Sequence, residues 1–352
     1  MNTLLKALVL SFGALPCMGK AASFIDPLDQ PAMISDRAVI SPLYGLFASS
    51  SGVVAVGPRG HIVRSDETGQ HFAQVPAPLS SDLVAVYFAN RSLGWAVGHD
   101  GVILNTQDGG ETWTRQLDGR QMIDLFAKHY GSVTGEGTPE LQSAQEYTQA
   151  LEKDGPIKPL LDVFFENEHE GWVVGAFNLI LHTTDGGQHW VPWIDKAENP
   201  DQYSLHAIRR IGDHVFIVGE LGLLLRLDQR RQKFVKVALP YSGSLFGLTG
   251  RKGLLVAYGL RGNVWTSRDE GASWTQLETR TSFSINAATL LADGSIVLAS
   301  AGGELLFSDP KGEQIINRSV KRRTPIYGVA ALGHGLYTIG PDGVTLASRQ
   351  DP

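Results

Sequence analysis

The chain has 352 residues, a formal net charge of −6, and 19% charged residues. That balance offers no basic field for a phosphate backbone, so nucleic acid is not an expected partner. The single cysteine, Cys17, excludes a disulfide framework, and 40 glycines point to short strands joined by tight turns.

In chain order, the first element is a leader. Lys6 precedes an apolar run from Ala7 to Leu15, and the small residues Gly19 to Ser23 follow. This is the order of a secretory signal, and the run is too short for the roughly 20 residues that span a bilayer. The reading is a signal peptide over 1–22 and an exported, periplasmic domain over 23–352, with Cys17 lost on cleavage. Ala14 and Pro16 depart from the pattern that precedes a lipidated cysteine, so an anchor at Cys17 is not expected.

Downstream, a repeat of about 40 residues governs the sequence. Its turns fall at Gly57 to Gly60, Gly98 to Gly101, Gly175 to Asn178, Gly219 to Gly222, Gly259 to Gly262, Ser300 to Gly303 and Gly340 to Gly343. Each joins two apolar runs, and Gly or Asn supplies the positive φ the turn requires. Ahead of each pair runs an inner strand with a small residue in its third column in six of the seven copies: Gly45, Ala85, Val163, Ala207, Gly247, Ala287 and Gly328. Seven copies predict an all-β, seven-bladed β-propeller of four-stranded antiparallel blades. The seventh copy lacks its outermost strand, and a strand at about 31–39 is expected to supply it, since an open ring leaves unpaired edges.

Between third and fourth strands stands S/T-x-D-x-G-x-x-W: Thr106, Asp108, Gly110 and Trp113; Thr183, Asp185, Gly187 and Trp190; Ser267, Asp269, Gly271 and Trp274. Ser65, Glu67, Gly69 and Phe72 form a relaxed copy, and Asp228 and Asp309 mark degraded ones. In such an Asp-box the carboxylate accepts backbone N–H bonds and the ring wedges between blades. Its role is structural, on the face opposite the glycine turns.

Residues at about 120–158 interrupt the repeat between blades 2 and 3 as a helical hairpin. Met122, Leu125 and Phe126 share one helical face; Thr138 caps a second helix with Pro139 at its first position, carrying Leu141, Ala144, Tyr147 and Leu151. The hairpin is expected over or beside the channel mouth, which makes Phe126 and Tyr147 partner-binding candidates.

The second column of the inner strands, Tyr44, Val84, Asp162, His206, Phe246, Asn286 and Tyr327, is expected just inside that mouth. Asp162 and His206 leave a sialidase-like glycoside hydrolase or a glycan-binding propeller open as an alternative. Against catalysis, no arginine stands in this column. The histidines show no H-x-H or H-E-x-x-H spacing, so no metal or cofactor is expected.

At Gly94-Trp95-Ala96-Val97-Gly98 through Trp113, and again at Gly171-Trp172-Val173-Val174-Gly175 through Trp190, the sequence resembles the photosystem II stability/assembly factor family of β-propellers. The resemblance implies a non-catalytic scaffold, monomeric by itself, that holds a membrane protein or its periplasmic segment. In organisms that do not photosynthesise, it implies a place beside membrane transport proteins, so the partner class includes a transporter. The family's arginine-rich grip maps here onto Arg59 and Arg261, with Arg322 and Arg323 beyond, although other turns carry Asp100, Glu220 and Asp342.

Overall fold

The computed structural model describes residues 25–131, 137–320 and 324–347. Seven antiparallel sheets follow one another along the chain, each with its strands in sequence order. Six have four strands; blade 2 consists of Leu83–Phe88, Gly94–Gly98, Ile103–Thr106 and Thr114–Leu117. The inner strand of blade 7, Gly328–Leu332, packs against that of blade 1, Gly45–Ser49, and closes the ring. The fold is a seven-bladed β-propeller.

The second strands are buried along their whole length in blade 1 (Gly52–Val56) and blade 2 (Gly94–Gly98), and all but the first residue is buried in blades 4 and 7. Runs apolar on both faces fit this position because each blade is sandwiched between two others. The core is divided accordingly into apolar clusters at blade interfaces. One joins Val54, Val56 and Ile62 of blade 1 to Leu83, Val86 and Leu104 of blade 2; another joins Ile339 of blade 7 to Leu43 and Ala55 at blade 1.

Among the described residues blade 7 has three strands, Gly328–Leu332, Gly335–Gly340 and Gly343–Ala347. The closing strand expected at 31–39 is not formed. Residues 31–37 have no strand structure, and Ala38–Ile40 is a single 3-10 turn. The start of the segment is tied to blades 1 and 2: the Ala32 N–H donates to the Ala77 carbonyl, the Ser35 N–H to Gln74 Oε1, and Arg115 to the Leu28 carbonyl, whereas Ala38–Ile40 packs between the outer strands of blade 1 and Gly343–Ala347 of blade 7 without pairing as a strand. Bidentate bonds from Arg120 to Asp29 hold its start.

Helices α1 (Gly119–Tyr130) and α2 (Pro139–Asp154) lie between blades 2 and 3. Asp118 caps α1 in a reciprocal capping box with Gln121, and Thr138 caps α2 through the Leu141 N–H. Met122, Phe126, Tyr130, Ala144, Tyr147 and Leu151 join Trp95, Leu181, Trp190 and Ile194 in one buried cluster. The hairpin thus packs on the outer part of blades 2 and 3.

Candidate functional site

In a propeller with this strand order, the turns between second and third strands and the connections between blades share one end of the ring, called here the mouth face. The Asp-boxes lie at the other. The Asp-box geometry explains its residue types. Asp108 Oδ1 accepts the Glu111 and Thr112 N–H groups at 3.0 and 2.9 Å, Thr112 Oγ1 donates to Oδ2, and Thr106 Oγ1 accepts the Gly110 N–H at 2.9 Å. Asp185 and Asp269 repeat the pattern on His189 and Ser273. Trp113 and Trp190 are buried, and Trp274 is half-buried. Burial works to raise the Asp108 carboxyl, but the Thr112, Thr106 and Glu111 hydrogen bonds bring it down to about 2. In the relaxed copy Glu67 is not the box acid. Asp66 accepts from Thr68 and Gln70 and contacts His71, while Glu67 pairs with Arg91.

At the centre, a cavity of about 200 Å³ is lined by Tyr44, Val84, Asp162, His206, Phe246, Asn286 and Tyr327, together with Leu161 and Arg209. The column is not one register. In blades 2, 4, 5 and 6 the second-column residue is an unpaired bulge: Val84, His206, Phe246 and Asn286. In blade 3, Leu160 pairs with Gly175 and Asp162 with Val174, so the bulge is Leu161. Asp162 therefore occupies the small-residue column held by Ala85 and Ala207, a correction of one position. Two consecutive leucines, Leu160 and Leu161, offer the sequence two equivalent registers.

That shift decides the chemistry of Asp162. It is 4% exposed, and its Oδ2 accepts the Ile208 N–H at 2.8 Å and a hydrogen bond from Arg209 Nη1, which also donates to the Ile208 carbonyl. Burial pushes the carboxyl above its ordinary value, against the pull of Arg209 and the Ile208 N–H. His206 is tied elsewhere: its Nδ1 lies 2.7 Å from the Leu245 carbonyl oxygen, which only accepts, so Nδ1 carries the proton there. The two residues form no hydrogen-bonded acid–base couple. Arg209 is the channel arginine that the column reading missed; after the His206 bulge the strand alternation changes phase and puts Arg209 on the cavity side.

Five of the seven mouth-face turns have two successive left-handed residues at their tips. Arg59, Asp100, Phe177, Leu221 and Arg261 precede Gly60, Gly101, Asn178, Gly222 and Gly262, and all ten have positive φ. The glycine requirement expected from the pattern accounts for only half of each turn. Asp tolerates the other half; Arg, Phe and Leu do so at a cost of roughly 1–2 kcal/mol each. Neither the Arg59 nor the Arg261 guanidinium forms an ion pair among the described residues, and both residues are exposed. Asp82 and Glu220 on the same face bond the Arg59 and Ser204 N–H groups, and Asp100 accepts from Ser81. Arg322 and Arg323 lie outside the described residues.

Phe126 and Tyr147 are not surface residues. They are 0% and 4% exposed inside the hairpin cluster, so they are unavailable to a partner. Among the described residues no group of three His, Cys, Asp or Glu side chains is placed to hold a metal, and no helix is long and apolar enough to cross a membrane.

A family model described as photosynthesis system II assembly factor YCF48 matches residues 141–328. The photosystem II assembly lipoprotein Ycf48 of Synechococcus sp. (strain CC9902) is 26% identical over 171 residues, 47% of this chain and 51% of that protein. The chloroplastic photosystem II stability/assembly factor HCF136 of Oryza sativa subsp. japonica is 28% identical over 179 residues, 49% of this chain and 39% of that protein. The chain thus spans about half, or less, of the length of these relatives. The solved structure of YCF48 bound to D1 peptide superposes with a TM-score of 0.64 over 94% of this chain and 99% of that chain at 17% identity, a likeness of fold. These relatives are named as assembly factors and not as enzymes. Because the family model covers more than half of the sequence, the chain belongs to the family of the photosynthesis system II assembly factor YCF48.

Proposed function

We propose that this protein is an exported, periplasmic scaffold without catalytic activity, which holds a membrane protein or its exposed segment at the mouth face. The single observation that carries the reading is the family match over 141–328, which runs from α2 to the inner strand of blade 7. A relative of the same fold is described as bound to a D1 peptide, which supports a membrane-protein client. The unpaired Arg59 and Arg261 suit an acidic stretch on that client, because rim charges set encounter rate and selectivity. The leader-like residues 1–22 support export, as does the lipoprotein name of a relative. The glycosidase alternative loses ground because Asp162 is spent on Arg209 and the Ile208 N–H.

Double charge reversal, Arg59→Glu with Arg261→Glu, tests the reading. Co-purification of the client from detergent extracts of the native membrane is expected to fall at least tenfold, with the melting temperature unchanged. Undiminished co-purification contradicts the mouth-face assignment. Turnover of fluorogenic sialosides or other glycosides, lost in Asp162→Asn, contradicts the non-catalytic one.

A further inference from the structure

The exposed large apolar side chains are distributed unevenly over the ring. Ile40, Ile157, Phe177, Leu221, Leu260 and Phe283 are between 36% and 66% exposed, and all lie in mouth-face turns or connections. The remaining ones fall on the N-terminal segment, on outer strands, or, for Tyr44, at the channel entrance. Among the described residues none lies in the turns of the opposite, Asp-box face. One-sided exposure of this kind marks a contact surface.

Its shape says what kind. Phe177 and Leu221 stand at the apices of their two-residue turns, and Leu260 directly precedes the apex of the next blade's turn. Residues at apices are convex and separated from one another; they cannot line a groove for a peptide, but they can enter a medium that closes around each one. The conformation gives a second indication. Phe177 and Leu221 hold left-handed φ values of 55° and 50°, where Asn, Asp or Gly would sit without strain. Bulky apolar residues kept in a costly conformation and in water point to a use for their side chains. Charge on this face is mixed: Lys158 Nζ lies 4.9 Å from the centre of the Phe177 ring but pairs with Asp154, Glu220 adjoins Leu221, and Arg261 follows Leu260 at the apex of blade 5. Separated apolar tips match the acyl boundary of a bilayer, which closes around each of them.

We propose that the mouth face docks directly on a lipid surface, with the apices of blades 3 to 5, led by Phe177 and Leu221, inserted at the headgroup boundary. This contact shares the blade 5 apex with the proposed grip on a client, but it needs no second protein.

Protein-free vesicles test it, and so the result is independent of the scaffold reading. The purified exported protein is sedimented with vesicles of equimolar phosphatidylglycerol and phosphatidylcholine, and with pure phosphatidylcholine. The expected result is partition onto both kinds of vesicle, and a loss of at least about tenfold in Phe177→Asn/Leu221→Asn. Asn tolerates the left-handed turn, so this variant keeps its melting temperature and the loss cannot be attributed to unfolding. Protein that stays in the supernatant with the neutral vesicles overturns the proposal. So does a double variant that binds like wild type, because the two tips then contribute nothing.

Discussion

Asp162 shows what one residue of register is worth. An Asp in a column otherwise filled by Gly or Ala has no room to reach water, and it is satisfied only because Arg209 and the Ile208 N–H come to it from the neighbouring blade. Removing one partner of such a pair strands the other. Asp162→Ala is therefore expected to destabilise the fold by about 3 kcal/mol, toward the low end for buried pairs because the Arg209 side chain is 36% exposed. Denaturant titration checks it. The Asp-box acids carry a different signature. Hydrogen bonds from the Ser273 side chain and N–H and from Ser267 hold Asp269 at about 2, and Asp108 stands at about 2 as well. Both folded values are depressed, so their stabilisation is present above the ordinary value of 3.8 and is lost as pH falls from about 4 toward 2. The melting temperature should drop across that window, and the drop should shrink in Asp108→Asn/Asp269→Asn. Trp113→Ala, a truncation of a buried ring, should cost about 3–5 kcal/mol; an unchanged melting temperature contradicts the wedge role.

At the level of elements, the helical hairpin was legible in sequence as two amphipathic helices with named caps, but its packing was not. Helical spacing shows that Phe126 and Tyr147 lie on an apolar face; it does not say whether that face meets a partner or the propeller's own wall. The deciding residues, Trp95, Trp190 and Ile194, are far away in sequence and belong to the blades. Deletion of 121–156 therefore exposes this cluster and should lower the melting temperature markedly, which thermal unfolding followed by circular dichroism measures. The mouth-face turns were legible through their glycines, but the residue before each glycine was not, because Arg, Phe and Leu carry no turn signal of their own. Leu221→Gly relieves that conformation and should leave the melting temperature unchanged or raise it. A clear fall would show that the side chain is supported by contacts within the propeller.

For the whole molecule, the number of blades followed from the repeat alone, since one turn per copy was preserved even where the Asp-box was lost. The closure did not follow. Counting strands predicts a missing one and an N-terminal segment free to fill it, whereas the bonds from Arg115 and Arg120 and the Ala32 N–H tie the start of that segment to blades 1 and 2 and helix α1, and its end, Ala38–Ile40, meets blade 7 as a 3-10 turn. Among the described residues blade 7 keeps three strands, and its inner strand packs against that of blade 1. The two faces then divide the work: the Asp-box end braces neighbouring blades, and the mouth end presents the unpaired arginines and the channel. The most direct test of the scaffold claim is cross-linking in intact cells from a photoreactive residue placed at Arg261 on the mouth face and, in parallel, at Arg230 on the Asp-box face. The expected result is one membrane protein captured from position 261 and absent from position 230. Equal capture from both positions, or none from 261, would contradict it.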